Sequence, residues 1–121
     1  MNIESVRDYS LTLPQVTEDF PFDETTLVFR VAGKIFAMID LEQNQWLTLK
    51  CEPEYAQQLR EHHTEIEGAW HMNKRHWNML NLVGNLSDAL ICHLIRHSYN
   101  QVLRSLTRRV RQEQNLSEIE E

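Results

Sequence analysis

The chain has 121 residues, 41% hydrophobic and 25% charged, with a formal net charge of −6 and only three glycines and three prolines. That length accommodates one core of ordinary size and no second one, and the composition excludes collagen-like and low-complexity chains. No run of about 18 apolar residues occurs and the first residues lack a basic-then-apolar order, so no membrane span and a cytoplasmic location are expected. Cys51 and Cys92 stand far apart in no CxxC pair, which fits free thiols in a reducing compartment.

The charge is unevenly spread. Residues 1–70 carry five basic side chains against thirteen acidic ones, whereas residues 71–111 carry seven basic ones (Lys74, Arg75, Arg96, Arg104, Arg108, Arg109, Arg111) against Asp88 alone. Residues 112–121 return to acidity through Glu113, Glu118, Glu120 and Glu121. A basic zone followed by an acidic tail reads either as a solvated helix face or as an anion-binding surface with a self-shielding terminus.

In chain order, Ile3, Val6, Tyr9 and Ser10 recur at helical spacing behind Asn2, a good cap, which predicts a short amphipathic helix ending before Pro14. Pro14 to Thr26 reads as a structured loop in which Phe20 and Phe22 plug the edge of the core. Leu27–Ala32 and Lys34–Asp40 are rich in β-branched and aromatic residues and meet at Ala32-Gly33, the pattern of a tight hairpin. Gln45–Lys50, after the polar turn Glu42-Gln43-Asn44, adds a third antiparallel strand.

Pro53 then suits a first helical turn, and Glu54–His62 carries the helical spacing that follows from it. Short strands are expected near Ala69–His71 and at Trp77–Leu82. Ser87 and Asp88 cap a long helix whose apolar stripe runs through Leu90, Ile91, Leu94, Ile95, Val102, Leu103 and Leu106, with Arg96, Arg104 and Arg108 mostly opposite. The expected architecture is α+β, an antiparallel sheet of about five strands packed against helices in the order α-β-β-β-α-β-β-α, forming a single domain over 1–111. Residues 112–121 are expected to be an acidic, disordered tail.

Candidate chemistry is sparse. His93 and His97 are spaced i, i+4 on the long helix, as two metal ligands would be, but there is no HExxH and no nearby acidic residue except Asp88, so a structural or solvated role is expected. Neither cysteine lies in a setting that would lower its pKa, and Gly33, Gly68 and Gly84 stand alone rather than forming a phosphate cradle. The paired carboxylates Glu18-Asp19 and Asp23-Glu24 are neighbours in a loop, not opposed across a cleft. A non-enzymatic protein with no cofactor and no bound metal is expected. The densest constellation is His71-Met72-Asn73-Lys74-Arg75-His76-Trp77-Asn78, where cations, amides and an aromatic ring could serve phosphate contact and base stacking, or build a structural corner with Asn73 capping a turn and Trp77 anchoring it.

Four stretches together, PFDETTLVFRVAGKIFAMI, LTLKCEPEYAQQLR, HMNKRHWNMLNL and SYNQVLRSL, resemble the MmcQ/YjbR family of small bacterial proteins over residues 6 to about 106. The matching positions are Pro21, Phe22, Gly33, Lys34, Lys50, His71 to Lys74, His76, Trp77, Ser98 and Tyr99. The resemblance implies a CyaY-like, bacterial frataxin-like fold and a double-wing DNA-binding role. On this reading Lys34, Lys50, Lys74 and Arg75 touch phosphates, Asn73 supports them, and His76 or Trp77 contacts sugar or base of double-stranded DNA. The alternative is a protein-interaction or chaperone-like module using an exposed sheet face, a monomer or weak homodimer, with Phe36, Met38 and Trp46 as its apolar patch.

Overall fold

The computed structural model describes residues 1–42, 45–70 and 72–121. The expected Gln43-Asn44 turn and His71 of the motif lie outside the described residues. A two-residue reversal is the sheet's origin: Ala32 and Gly33 both take positive φ, 51° and 76°, as a primed turn between right-twisted strands requires. It joins β2 (Thr26–Val31) to β3 (Lys34–Asp40), and β4 (Trp46–Lys50) completes the meander. The sheet has six antiparallel strands rather than about five. The extra one, β1 (Thr17–Asp19), lies in the stretch expected to be loop and pairs with β2, held by Arg7 of α1 (Ile3–Leu11) to Glu18 and by Arg30 to Asp19 at 3.0 Å. Beyond β4 come β6 (Trp77–Asn81) and, at the far edge, β5 (Ile66–Gly68), giving the order β1-β2-β3-β4-β6-β5. The strand expected at Ala69–His71 therefore falls three residues earlier, because Ile66 supplies the buried anchor and Gly68 pairs Asn78.

Helix α3 (Asp88–Ser105) crosses one face of the sheet, with its cap Ser87 accepting from the Leu90 amide, and α1 and α2 (Pro53–His62) flank it. Leu27, Phe29, Ala37, Ile39, Leu47, Leu49 and Leu80 point into this layer from the strands and meet Ile91, Leu94, Ile95, Tyr99, Val102 and Leu103 from the helix. Alternation alone would send Phe36 to the opposite face with Met38. The register slips between Phe29 and Arg30, however, so that Phe36 is an extra residue in β3, and this bulge turns Phe36 inward beside Ala37, both fully buried. Tyr99 meets Phe36 edge-to-face at 5.5 Å and donates its hydroxyl to the Pro14 carbonyl at 2.7 Å. Ser98 repairs the ladder at the same place: its hydroxyl donates to the Phe36 carbonyl and accepts from the Lys50 amide at 2.8 Å. The Ser-Tyr landmark of the last helix thus has an architectural explanation.

Two further expectations are corrected. Phe20 and Phe22 do not plug the core; they are 48% and 66% exposed, because Leu13 and Val16 already close that edge. The carboxy-terminal stretch is not frayed, and the expected boundary at residue 111 falls inside a fourth helix, α4 (Arg108–Glu113), capped by Thr107. Leu116 is buried in the core and Ile119 packs against it. Three of the tail's four glutamates, Glu113, Glu118 and Glu121, have partners. Arg104 holds Glu118 at 2.6 Å, Arg109 holds Glu113 at 2.9 Å, and Arg96 donates two hydrogen bonds to the Glu121 carbonyl. Two apolar anchors three residues apart were the signal for docking, hidden among glutamates.

Candidate functional site

The helices pack on one face of the sheet, and none among the described residues packs on the other. By strand register the face away from α3 carries Thr26, Val28 and Arg30 of β2, Ile35, Met38 and Asp40 of β3, Trp46, Thr48 and Lys50 of β4, and Trp77, Met79 and Asn81 of β6, with Val28 and Met79 buried on it. An antiparallel sheet with one solvated face normally alternates apolar and polar residues, yet much of this outward set is apolar. Two loops raise walls around it: Phe22 from the β1–β2 connection and Trp70 with Met72 from the β5–β6 connection. The result is a groove of about 610 Å³, floored by Ile35, Met38, Thr48 and Met79. Trp70 is 61% exposed. Since the chain has three tryptophans, all of them belong to this face, Trp46 and Trp70 lining the groove and Trp77 next to it on β6.

One end of the groove is acidic. Asp23 accepts from the amides of Thr25 and Thr26 at 2.9 and 2.7 Å, and these two hydrogen bonds hold its carboxyl below the usual range. Thr26 pairs in register with Asp40, and one step beyond the Ile39–Leu47 pair stand Asp40 and Trp46. Among the described residues neither Asp23 nor Asp40 has a cationic partner.

The residues expected to touch DNA collect at the other end of the sheet. Lys50 and Trp77 are register partners, the Asn73–His76 turn leads into β6, and Lys34 opens β3 at the same end. Much of this block is a structural corner. Asn73 caps the turn by accepting from the Arg75 amide at 2.9 Å, while its carbonyl receives the amides of His76 and Trp77. The His76 carbonyl accepts from the Cys51 amide at 2.7 Å. Arg60 of α2 ties the turn down through the Lys74 carbonyl at 3.1 Å and Asn78 Oδ1 at 2.7 Å. A side chain at Gly68 would press on the Lys74 stem at 3.2 Å, so that stem lies along the bare backbone there. Exposed cations remain at Lys34, Lys74 and Arg75, none with an acidic partner among the described residues.

The remaining candidates have structural settings. Burial, reinforced by the charge of Glu52, pushes the Cys51 thiol up to about 12, and burial also raises Cys92, so both stay protonated at neutral pH. His97 accepts from the Glu52 amide at Nε2 and contacts Glu121 through Nδ1 at 2.7 Å; His93 stacks beside it and reaches the Tyr55 hydroxyl at 3.1 Å. Among the described residues no three His, Cys, Asp or Glu side chains are grouped to hold a metal ion. No helix is long and apolar enough to cross a membrane.

A profile of the YjbR family matches residues 11–101, a span that includes the whole of the sheet and most of α3. The chain belongs to the YjbR family. The uncharacterised protein YjbR of Escherichia coli K12 is 31% identical over 107 residues, covering 88% of this chain and 91% of its own. The uncharacterised YbdF of Escherichia coli O157:H7 is 32% identical over 107 residues, with 88% of each chain covered. The crystal structure of the Deinococcus radiodurans protein DR2400 superposes with a TM-score of 0.92 at 34% identity, over 99% of this chain and 92% of that one. A Pseudomonas syringae protein superposes with a TM-score of 0.74 at 28% identity, over 84% and 98%. Among the described residues, no helix packs on the face of the six-stranded sheet away from α3.

Sequence reasoning singled out Met38 and Trp46 for this face and missed Phe22, Trp70, Met72 and the two aspartates. The available signal was the outward strand positions. Ile35, Met38, Trp46 and Met79 stand where a solvated sheet face carries polar residues.

Proposed function

We propose that this YjbR-family chain is a non-catalytic binding module that holds an apolar guest on its open sheet face. The observation that carries this reading is the walled groove of about 610 Å³, in which Trp46, Trp70, Phe22 and three methionines line one concavity. Ligand sites are typically about 300–1,000 Å³ and mostly apolar with a few polar groups, and methionines let such a wall reshape around its occupant. Holding large aromatic side chains in water, as Phe22 and Trp70 are held, is unfavourable unless something covers them part of the time.

The test is titration with the neutral fluorophore N-phenylnaphthylamine, whose emission rises in apolar surroundings. Saturable enhancement lost in Trp46→Ala and Trp70→Ala supports the module. No enhancement with the folded wild-type protein overturns it.

A second reading rests on the other end of the sheet. Exposed Lys34, Lys74 and Arg75, with Lys50 beside Trp77, form a small basic edge that suits phosphate contact by a wing of double-stranded DNA. Few phosphates would be neutralised, so weak and steeply salt-dependent binding is expected, abolished in a Lys74→Glu/Arg75→Glu variant. Anisotropy of a labelled duplex at two salt concentrations checks it, and salt-insensitive binding or none counts against it.

A further inference from the structure

The open-face groove combines two chemistries at one end, and the combination narrows what it can hold. Trp46 stands next to Asp40, and Asp23 is tied through Thr26 to the same register row. Phe22, the residue before Asp23, supplies a second ring there, and Trp70 lines the same groove from the β5–β6 loop at the other end of the strands. Building on the module reading above, we propose that the groove's guest is a small organic cation with an apolar body, its charge seated between the aromatic rings and the carboxylates of Asp23 and Asp40.

The argument is one of charge complementarity. Both carboxylates lie in the lining and neither has a cationic partner among the described residues. Asp23 is fixed in direction by four contacts from Thr25 and Thr26, two from amides and two from hydroxyls, so its carboxylate is pre-positioned rather than free to swing away. Asp40 accepts only the Glu42 amide, at 2.9 Å, among the described residues, which leaves acceptor capacity for a guest. Rings with their negative faces toward a cation add attraction that a neutral or anionic guest does not receive. Lys34, Lys50 and the Lys74-Arg75 turn after Met72 stand at the end of the strands opposite Asp23 and Asp40, and none of them pairs with either carboxylate among the described residues. A volume of about 610 Å³, bounded by walls from two loops, suits a discrete ligand of two or three rings.

The experiment displaces N-phenylnaphthylamine with three compounds that share two benzyl arms and differ in the charge at the centre: dibenzyldimethylammonium, dibenzyl ether and dibenzyl phosphate. The cation should compete about tenfold more tightly than the ether, and the phosphate least well. In Asp40→Asn, which keeps an oxygen for the Glu42 amide, and in Asp23→Asn, the cation's advantage should shrink about threefold or more in each, with the ether unchanged. An ether that competes as well as the cation, or an advantage that survives in both variants, overturns the cation assignment and leaves the apolar module standing. If the neutral fluorophore itself fails to bind the wild-type protein, the module and the cation assignment fall together.

Discussion

The two faces of this sheet are built from the same strands, residue by residue, yet they meet opposite fates. On one side α3 closes over Phe36, Leu47 and Leu49, and the bulge in β3 adds Phe36 to a layer that already holds Ala37. On the other side Met38, Trp46 and Thr48 alternate with those same residues and receive no helix. The strands are thus apolar toward both sides, as in sheets buried on both faces, while among the described residues helices cover one side alone. The difference teaches that Ile35, Met38 and Trp46 are apolar where no helix among the described residues covers them, and this makes that face the place to look for function.

The contrast can be broken hardest at Phe36. Phe36→Ala removes a fully buried ring from contact with Tyr99 and is expected to cost about 3–5 kcal/mol in denaturant unfolding, whereas Met38→Ala two residues away should cost about 1. Equal losses at the two positions would mean the open face is as structural as the covered one. A middle effect belongs to Ser98. Ser98→Ala strands the Lys50 amide and the bulge carbonyl of Phe36, and a loss of about 1–3 kcal/mol is expected by the same measurement.

The docked tail sharpens the covered side further. Burial pushes the Glu121 carboxyl upward, but hydrogen bonds from Asn100 and His97 outweigh it and hold the group below its ordinary value of 4.5. A folded-state value below the unfolded one means the stabilisation is fully present above that ordinary value and is lost as pH falls through the folded value. Glu121→Gln should therefore cost about 1 kcal/mol near neutral pH and progressively less in acid, read from thermal unfolding across a pH series. A cost that does not change with pH would separate the tail's docking from its charge. The smallest effect is expected at Trp70. Trp70→Ala should alter stability by no more than about 0.5 kcal/mol while abolishing fluorophore binding, a separation that a structural tryptophan would not allow.

Much of the fold was legible in the sequence because its signals are local. Ala32-Gly33 marks the hairpin, Pro53 and Ser87 mark helix starts, and the leucine and isoleucine stripe of α3 marks the face that lands on the sheet. The misses are those in which a distant partner decides. Thr17–Asp19 becomes a strand only because the β2 edge and two arginines receive it. Leu116 and Ile119 dock because the core offers them room and because Arg96, His97 and Asn100 meet Glu121, none of which is visible in QEQNLSEIEE. Phe36 was misassigned because a bulge breaks the period of two without any mark in the strand's composition. At the candidate site, Met38 and Trp46 were readable from alternation. Trp70, Phe22 and the paired aspartates were not, since loops carry no periodicity from which to infer the wall they form.

The most direct measurement is a titration of isotopically labelled protein with N-phenylnaphthylamine, following the indole N–H signals of Trp46, Trp70 and Trp77 and the methyls of Met38, Met72 and Met79, beside those of Ile91 and Leu103 under α3. Shifts confined to the open-face set, saturating together, are expected. Shifts spread equally over the covered-face methyls, or none on either face, would contradict a sheet built with one face for folding and the other for a guest.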